Sequence, residues 1–178
     1  MRAAAEADAE LNTKEIARGG LLTAVAVALL YMGGAVTYIG PAACLVAGVA
    51  SAVPLLRRAN LRNAVLLYLA ASILSALLVP RKIVAAAYIL FCGLYPIIKF
   101  VVESRAPRHM QTAIKLVYFN IVLAVAGALA SRGFFPQVEM PEFWRLAGLW
   151  FAANVGFMIY DLGLSRLIAA LRRTLPPD

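Results

Sequence analysis

The longest charge-free stretch of the sequence runs from Gly19 to Leu56 and covers 38 residues. One helix needs about 20 apolar residues to cross a bilayer, so this length predicts two membrane spans. Gly33-Gly34 and Gly40-Pro41 mark the turn between them, because glycine loosens a helix and proline removes a backbone donor. Composition agrees with an integral membrane protein. The chain is 63% hydrophobic and 15% charged, whereas soluble domains carry about 25% charged residues.

Four further apolar segments follow, separated by charged or proline-containing loops. The fold class is therefore predicted as all-α, a polytopic membrane protein with six spans. The predicted spans are residues 20–38, 42–56, 63–79, 83–102, 114–130 and 143–162. We expect one transmembrane domain over residues 19–165, with a segment 1–18 before it and a tail 166–178 after it, the tail beginning as an interfacial extension of the last helix.

The distribution of basic residues predicts the orientation of these spans. Of the 17 lysines and arginines, thirteen fall on the side of the N-terminus and four on the opposite side. Cytoplasmic loops of membrane proteins carry an excess of Lys and Arg. Both termini are thus predicted to be cytoplasmic, and the protein is predicted to be a multi-pass protein of the cell membrane.

Motifs for several activities are missing from the sequence. It holds no G-x-x-x-x-G-K-[ST] loop for ATP phosphates, no H-E-x-x-H and no G-x-S-x-G. One histidine, His109, and two cysteines in apolar segments, Cys44 and Cys92, do not make a metal site or a disulfide framework. The net charge of +8 is attributed to topology signals and lipid contacts. We expect no enzyme, no cofactor, no metal and no nucleic-acid partner.

Few polar side chains fall inside the predicted spans. Lys99, Glu103 and Asp161 lie near the predicted inner interface, where snorkelling and ion pairing account for them; Glu103 is one turn from Lys99 and can pair with it. Asn154 lies near the midplane and Asn120 is shallower. An interhelical hydrogen bond is the expected role of both, with a ligand contact as the alternative for Asn154.

Pro96 predicts a kink in the fourth span. Its ring removes the hydrogen bond to the carbonyl of Cys92, and such kinks are common in membrane helices. They also open cavities, which Tyr88 and Tyr95 are placed to line.

Aromatic and basic residues at the predicted outer ends of the spans form a candidate solute site. This combination suits a small molecule that is partly aromatic or anionic. An interfacial aromatic belt with basic ends is the alternative. The candidate substrate-binding residues are Tyr31, Tyr38, Arg81, Lys82, Arg132, Phe135 and, deeper, Asn154.

Gly20, Ala24 and Ala28 follow one another at four-residue spacing in the first span, which permits close approach of another helix. The chain resembles the substrate-binding S component of energy-coupling factor (ECF) vitamin transporters. The resemblance is based on this row, on six predicted spans with both termini inside, and on the lack of an ATP site. The resemblance implies that the row docks on a transmembrane coupling subunit, that separate ATPases power uptake, and that a small nutrient or vitamin binds at the outer loops. Those loops correspond to Gly33–Pro41, Pro80–Lys82 and Ser131–Pro141.

A second similarity is to uncharacterised small bacterial membrane proteins, through the stretches Ser72–Pro80 and Gly93–Lys99. Two hypotheses of function remain. In the first, the chain is the substrate-binding subunit of an importer, which predicts a solute-sized cavity under the loops around Pro41, Arg81 and Phe135. In the second, it is a non-transporting scaffold or regulator acting through helix–helix contacts, which predicts tight packing there.

Overall fold

The computed structural model describes residues 2–36, 38–58, 60–135 and 142–174, with the side chains of residues 13, 16–36, 38–55, 60–135, 142 and 144–170. These residues form helices and no strand. The elements are α1 (Arg2–Ala35), α2 (Gly40–Arg58), α3 (Leu61–Leu78), α4 (Lys82–Ala87), a π-helical turn (Tyr88–Cys92), α5 (Tyr95–Arg105), α6 (Arg108–Ser131) and α7 (Phe143–Thr174).

Five helical segments among the described residues are long and apolar enough to cross a membrane. They are Ile16–Ala35, Leu61–Leu78, Lys82–Arg105, Arg108–Ser131 and Trp144–Ala170. A shorter apolar helix, Gly40–Leu55, falls where the second span is predicted. The all-α class is confirmed, and the five long apolar helices indicate a membrane protein.

Several helix ends differ from the sequence-based bounds. α1 begins at Arg2 and continues without a break across the predicted boundary at residue 18. α7 continues to Thr174, so the predicted extension of the last helix is present. Residues 136–141 of the predicted outer loop and the last four residues of the predicted tail lie outside the described part.

Local sequence explains where the helices start and stop. Gly40-Pro41 begins α2, a position where proline is favoured because its missing N–H has no helical partner. The Asn60 side chain caps α3 by accepting a hydrogen bond from the backbone N–H of Asn63 at 3.1 Å. Pro80 follows the extended residue Val79 at the other end of α3.

The chain forms two compact units, Met1–Ile97 and Ile98–Asp178, where the sequence predicts one domain. In the first unit, α1 packs against α2, α3 and α4. Its core consists largely of small and aliphatic residues, with Ala26, Leu30 and Ala47 fully buried. A Cβ added at Gly33 would come within 2.7 Å of the Ala43 Cβ. The predicted glycine turn thus also allows α1 and α2 to approach closely.

The predicted interruption before Pro96 takes the form of the π-helical turn. The N–H of Gly93 donates to the carbonyl of Tyr88 at 2.8 Å, five residues back. The Tyr68 hydroxyl donates to the carbonyl of Ile89 at 2.8 Å. Tyr88 and Tyr95 are fully buried, so they pack into the first unit. Their lining of a cavity stays a prediction.

Candidate functional site: a buried charge cluster in the second unit

α6 and α7 of the second unit run antiparallel and meet in three layers. Lys115 contacts Asp161, the rings of Phe119 and Phe157 stack with centroids 4.5 Å apart, and the Asn120 amide donates to the Asn154 side-chain oxygen at 2.9 Å. Residue numbers rise along α6 as they fall along α7, which defines the antiparallel register. The three layers hold the pair by an ionic, an aromatic and an amide contact.

The ionic layer is part of a charge cluster, which we define as Lys99, Glu103, Lys115 and Asp161. The Lys99 ammonium contacts Glu103 Oε1 at 2.8 Å and also the carboxylate of Asp161. The Lys115 ammonium contacts Glu103 Oε1 at 2.6 Å and Asp161 Oδ2 at 3.2 Å. Each lysine therefore meets both carboxylates, and the four formal charges balance.

Burial explains why the charges are shared in this way. The side chains of Lys99 and Lys115 are only 1% and 6% exposed, whereas those of Asp161 and Glu103 are 20% and 41% exposed. A buried ammonium without a counter-charge is very unfavourable. Two carboxylates within contact distance of each lysine offset that cost. The predicted Lys99–Glu103 pair is present, but the Lys99 side chain is enclosed, where the sequence predicts snorkelling towards the interface.

Ser165 completes the surroundings of Lys99. Its hydroxyl accepts from the Lys99 ammonium at 2.8 Å and donates to the Asp161 carbonyl at 2.8 Å. An ammonium has three hydrogens, and Glu103, Asp161 and Ser165 accept all three. Lys99 is thus placed to join α5 to α7, with its donors already used within the chain.

A second polar network lies between one and two helical turns from the cluster, five residues along α6 and seven along α7. Asn120 Oδ1 accepts from the Trp150 indole N–H at 2.7 Å, and the Asn154 amide donates to the Trp150 carbonyl at 2.9 Å. The Asn120 amide also donates to the carbonyl of Leu116 at 2.9 Å. The interhelical role predicted for the asparagines is therefore observed, and their hydrogen bonds are made within the α6–α7 pair.

An apolar groove of about 710 Å³ opens between α6 and α7 beside this network. Leu123, Ala124 and Gly127 line it from α6, and Leu149 and Ala153 line it from α7. Its polar edge consists of Asn120 and Trp150, which already bond to each other. The groove therefore offers mainly van der Waals contact.

The candidate substrate-binding residues are divided between the two units. In the first unit, Tyr31 and Tyr38 are 53% and 95% exposed. Lys82 is committed to the end of α3, where its ammonium donates to the carbonyls of Ala76 at 2.8 Å and Val79 at 3.2 Å. Arg81 is half-buried.

In the second unit, Arg132 is exposed and Phe135 is buried. Asn154 bonds to Asn120, which lies 11 residues before Ser131, or about 16 Å along α6. The structure therefore places Asn154 with the α6–α7 network and well away from the helix end that carries Arg132.

The predicted loops after α1 and α3 are closely packed against each other in the first unit. A Cβ at Gly34 would lie 2.7 Å from Val79 Cγ1 and 3.1 Å from Pro80 Cδ. A Cβ at Gly40 would lie 3.3 Å from Val84 Cγ2. These two loops are therefore in direct contact at Gly34.

The candidate docking residues Gly20, Ala24 and Ala28 are exposed on α1. Nothing lies within 4 Å of a Cβ added at Gly20. The opposite face of the helix, with Ala26 and Leu30, is fully buried. The small-residue row is thus accessible to another helix.

The sequence assigns no site role to Lys115 of the charge cluster or to Ser165, which bonds to Lys99. In the sequence analysis, Lys115 is one of the thirteen basic residues that predict the orientation of the spans. In the structure, Lys115 and Phe119 lie four residues apart and are the buried residues of α6, which is otherwise exposed or half-buried. The sequence alone does not show this burial. Among the described residues, no three His, Cys, Asp or Glu side chains form a group that could hold a metal ion.

The chain matches no protein-family model, no curated protein and no solved structure. Its function is therefore argued from its own residues.

Proposed function

We propose that the chain is a six-span protein of the cell membrane with both termini on the inner side. Five long apolar helices support this, together with the 16-residue helix Gly40–Leu55 as the sixth span. Sixteen residues rise about 24 Å, against about 30 Å of hydrocarbon, a mismatch that local thinning of the bilayer accommodates. The excess of basic residues on the N-terminal side favours this orientation.

Within this topology, the function we propose is that of the substrate-binding subunit of an ATP-driven importer for a small nutrient or vitamin. The observation that carries the proposal is the accessible row Gly20, Ala24 and Ala28 on α1, whose opposite face is packed into the first unit. Small residues let helix backbones approach closely in a membrane. Such a row suits docking on a transmembrane coupling subunit. The ATPases would be separate proteins, because this chain has no phosphate-binding loop.

The solute would bind at the outer side of the first unit, where Tyr31 and Tyr38 are exposed and Arg81 is half-buried. An aromatic ring and a guanidinium suit a small, partly aromatic or anionic molecule. Lys82 is not included, since its ammonium is held by the α3 carbonyls.

Affinity purification of the tagged full-length protein from its own cells tests the docking step. We expect stoichiometric ATPase and coupling subunits with the native chain, and their loss with Ala24→Leu/Ala28→Leu, because two leucines hold a partner helix away. Ala124→Leu/Ala128→Leu is the matched control, with exposed alanines at the same spacing on α6. Equal recovery of the subunits with both double variants, or no such subunits with the native chain, contradicts the proposal.

A scaffold or regulator without transport is the second candidate function. The close packing of Gly34 on Val79 and Pro80 favours it, since the importer hypothesis predicts a cavity under these loops. Native mass spectrometry of the purified protein separates the two. A retained metabolite that is lost on Arg81→Gln or Tyr31→Ala supports the importer, and an unliganded mass together with tolerance to both changes supports the scaffold.

A further inference from the structure

Three arginines are exposed at one end of the second unit. Arg105 ends α5, Arg108 begins α6, and Arg166 lies in the last part of α7. We refer to them as the arginine set. The two-residue turn between α5 and α6 is held by the Gln111 amide, which donates to the Ala106 carbonyl at 2.9 Å. Arg105 and Arg108 are therefore presented by an ordered turn.

The contacts of the charge cluster place the arginine set at a common level. Arg105 follows Lys99 by six residues, Arg108 precedes Lys115 by seven, and Arg166 follows Asp161 by five. At 1.5 Å per residue these steps are about 9, 10 and 8 Å. Since α6 runs antiparallel to α7 and pairs with α5 through Glu103 and Lys115, all three steps point the same way. The arginines thus lie just beyond the cluster, on one side of it.

No described carboxylate of the second unit remains to neutralise the arginine set. The described acidic side chains of this unit are Glu103, Glu142 and Asp161. Glu103 and Asp161 are bound by the two lysines. Glu142 accepts from the Trp144 indole at 2.7 Å, at the start of α7. The internally balanced cluster therefore leaves three exposed positive charges, two at helix ends and one, Arg166, in the last part of α7.

We propose that the arginine set binds the headgroups of anionic phospholipids in the leaflet that these helix ends face. The helices that carry the arginines are apolar enough to span a membrane, which places basic side chains beside lipid phosphates. Guanidinium groups form charge-assisted, bidentate hydrogen bonds with phosphate oxygens. The proposed topology makes this the inner leaflet. The interaction itself needs only membrane insertion and does not depend on transport.

Native mass spectrometry of the full-length protein tests this inference, with phosphatidylglycerol and phosphatidylcholine of matched acyl chains added in equal amounts. We expect the native protein to retain phosphatidylglycerol in preference, and Arg105→Gln/Arg108→Gln to reduce that retention on the order of tenfold. The control Arg62→Gln/Arg145→Gln removes the same charge from exposed positions elsewhere in the protein. It should retain phosphatidylglycerol at the native level.

Arg166→Gln alone should give a smaller reduction in the same direction, and it serves as the test if the double variant does not fold. Equal retention of the two lipids by the native protein overturns the proposal. So does an equal loss of phosphatidylglycerol in both double variants, because general charge and not the arginine set would then govern binding. A negative result for lipid retention does not count against subunit docking, because the affinity purification detects protein partners and not lipid.

Discussion

Lys99 and Lys115 show how a largely apolar chain accommodates charge. Both ammonium groups are enclosed, and both are matched by the same two carboxylates. A buried ion pair contributes little net stability compared with an apolar pair, but removing one partner is costly because a charge is left uncompensated. The charge cluster therefore specifies how α5, α6 and α7 meet, and it penalises arrangements that separate them.

A prediction follows for substitutions that change the charge of the cluster. Lys115→Met leaves two carboxylates around one lysine, and we expect a loss of stability of about 3 kcal/mol. Adding Glu103→Gln restores neutrality with the Lys99–Asp161 pair intact, so the double variant should be more stable than Lys115→Met alone. Thermal unfolding of the detergent-purified protein, run as a double-mutant cycle, measures this coupling.

If the stability changes caused by Lys115→Met and Glu103→Gln simply add in the double variant, the cluster does not act as a unit. Lys82→Met is the control for removing a lysine. In the part of the chain that the structure describes, its ammonium is bound by two carbonyl oxygens and its side chain is exposed, so the effect on stability should be small.

Sequence spacing identifies part of this cluster. Lys99 and Glu103 are four residues apart on one helix, and their pairing follows from helical geometry. Lys115 and Asp161 are 46 residues apart, and their contact depends on how two helices align. A single sequence does not specify that alignment. It predicts that both residues lie near the inner interface, but it does not predict that they contact each other.

At the scale of the helices, glycine decides where close packing is possible. A Cβ at Gly48 would clash with the backbone carbonyl of Cys92, at the end of the π-helical turn. A backbone atom cannot rotate away as a flexible side chain does. α2 therefore approaches the π-helical turn only because residue 48 has no side chain.

Gly48→Ala should consequently destabilise the first unit by about 2 kcal/mol, the range of an overpacked core. Gly127→Ala is the matched control, because nothing lies within 4 Å of a Cβ at that position of α6. It should be neutral or stabilising, since alanine is the better helix former. Thermal unfolding in detergent compares the two, and equal tolerance would show that α2 does not pack on the turn as described.

The elements differ in how far the sequence predicts them. Glycine and proline locate the turn between α1 and α2 and the interruption before Pro96, because both residues act through the local backbone. The π-helical form of the interruption was not predicted. The Tyr68 hydroxyl donates to the carbonyl of Ile89, and the carbonyl of Cys92 fits against α2 because Gly48 has no side chain. Both residues lie far from the turn in sequence, so the local sequence does not reveal these contacts.

At the scale of the whole molecule, hydropathy predicts an all-α membrane protein because each span must satisfy its backbone within a helix. Division into two compact units follows from packing contacts between helices, which one sequence does not reveal. The candidate solute residues were selected by their predicted outer position. In the structure, Lys82 donates to carbonyls at the end of α3, and Asn154 joins α6 to α7 as predicted. Solute binding by these residues stays a prediction.

The number of spans governs both the proposed function and the leaflet assigned to the arginine set. α2 is decisive, because it is the shorter apolar helix. If α2 crosses the membrane, the α2–α3 connection at Asn60 lies inside. If it does not, Asn60 lies on the outer side, together with the end of α1.

The most direct test is labelling of single cysteines in intact cells with a membrane-impermeant maleimide. Cys44→Ala/Cys92→Ala serves as the background, and both native cysteines are buried. The six-span account predicts that Ser131→Cys is labelled from outside, whereas Asn60→Cys is labelled only after the cells are opened. Labelling of Asn60→Cys in intact cells would contradict it and would leave five spans, with the two termini on opposite sides.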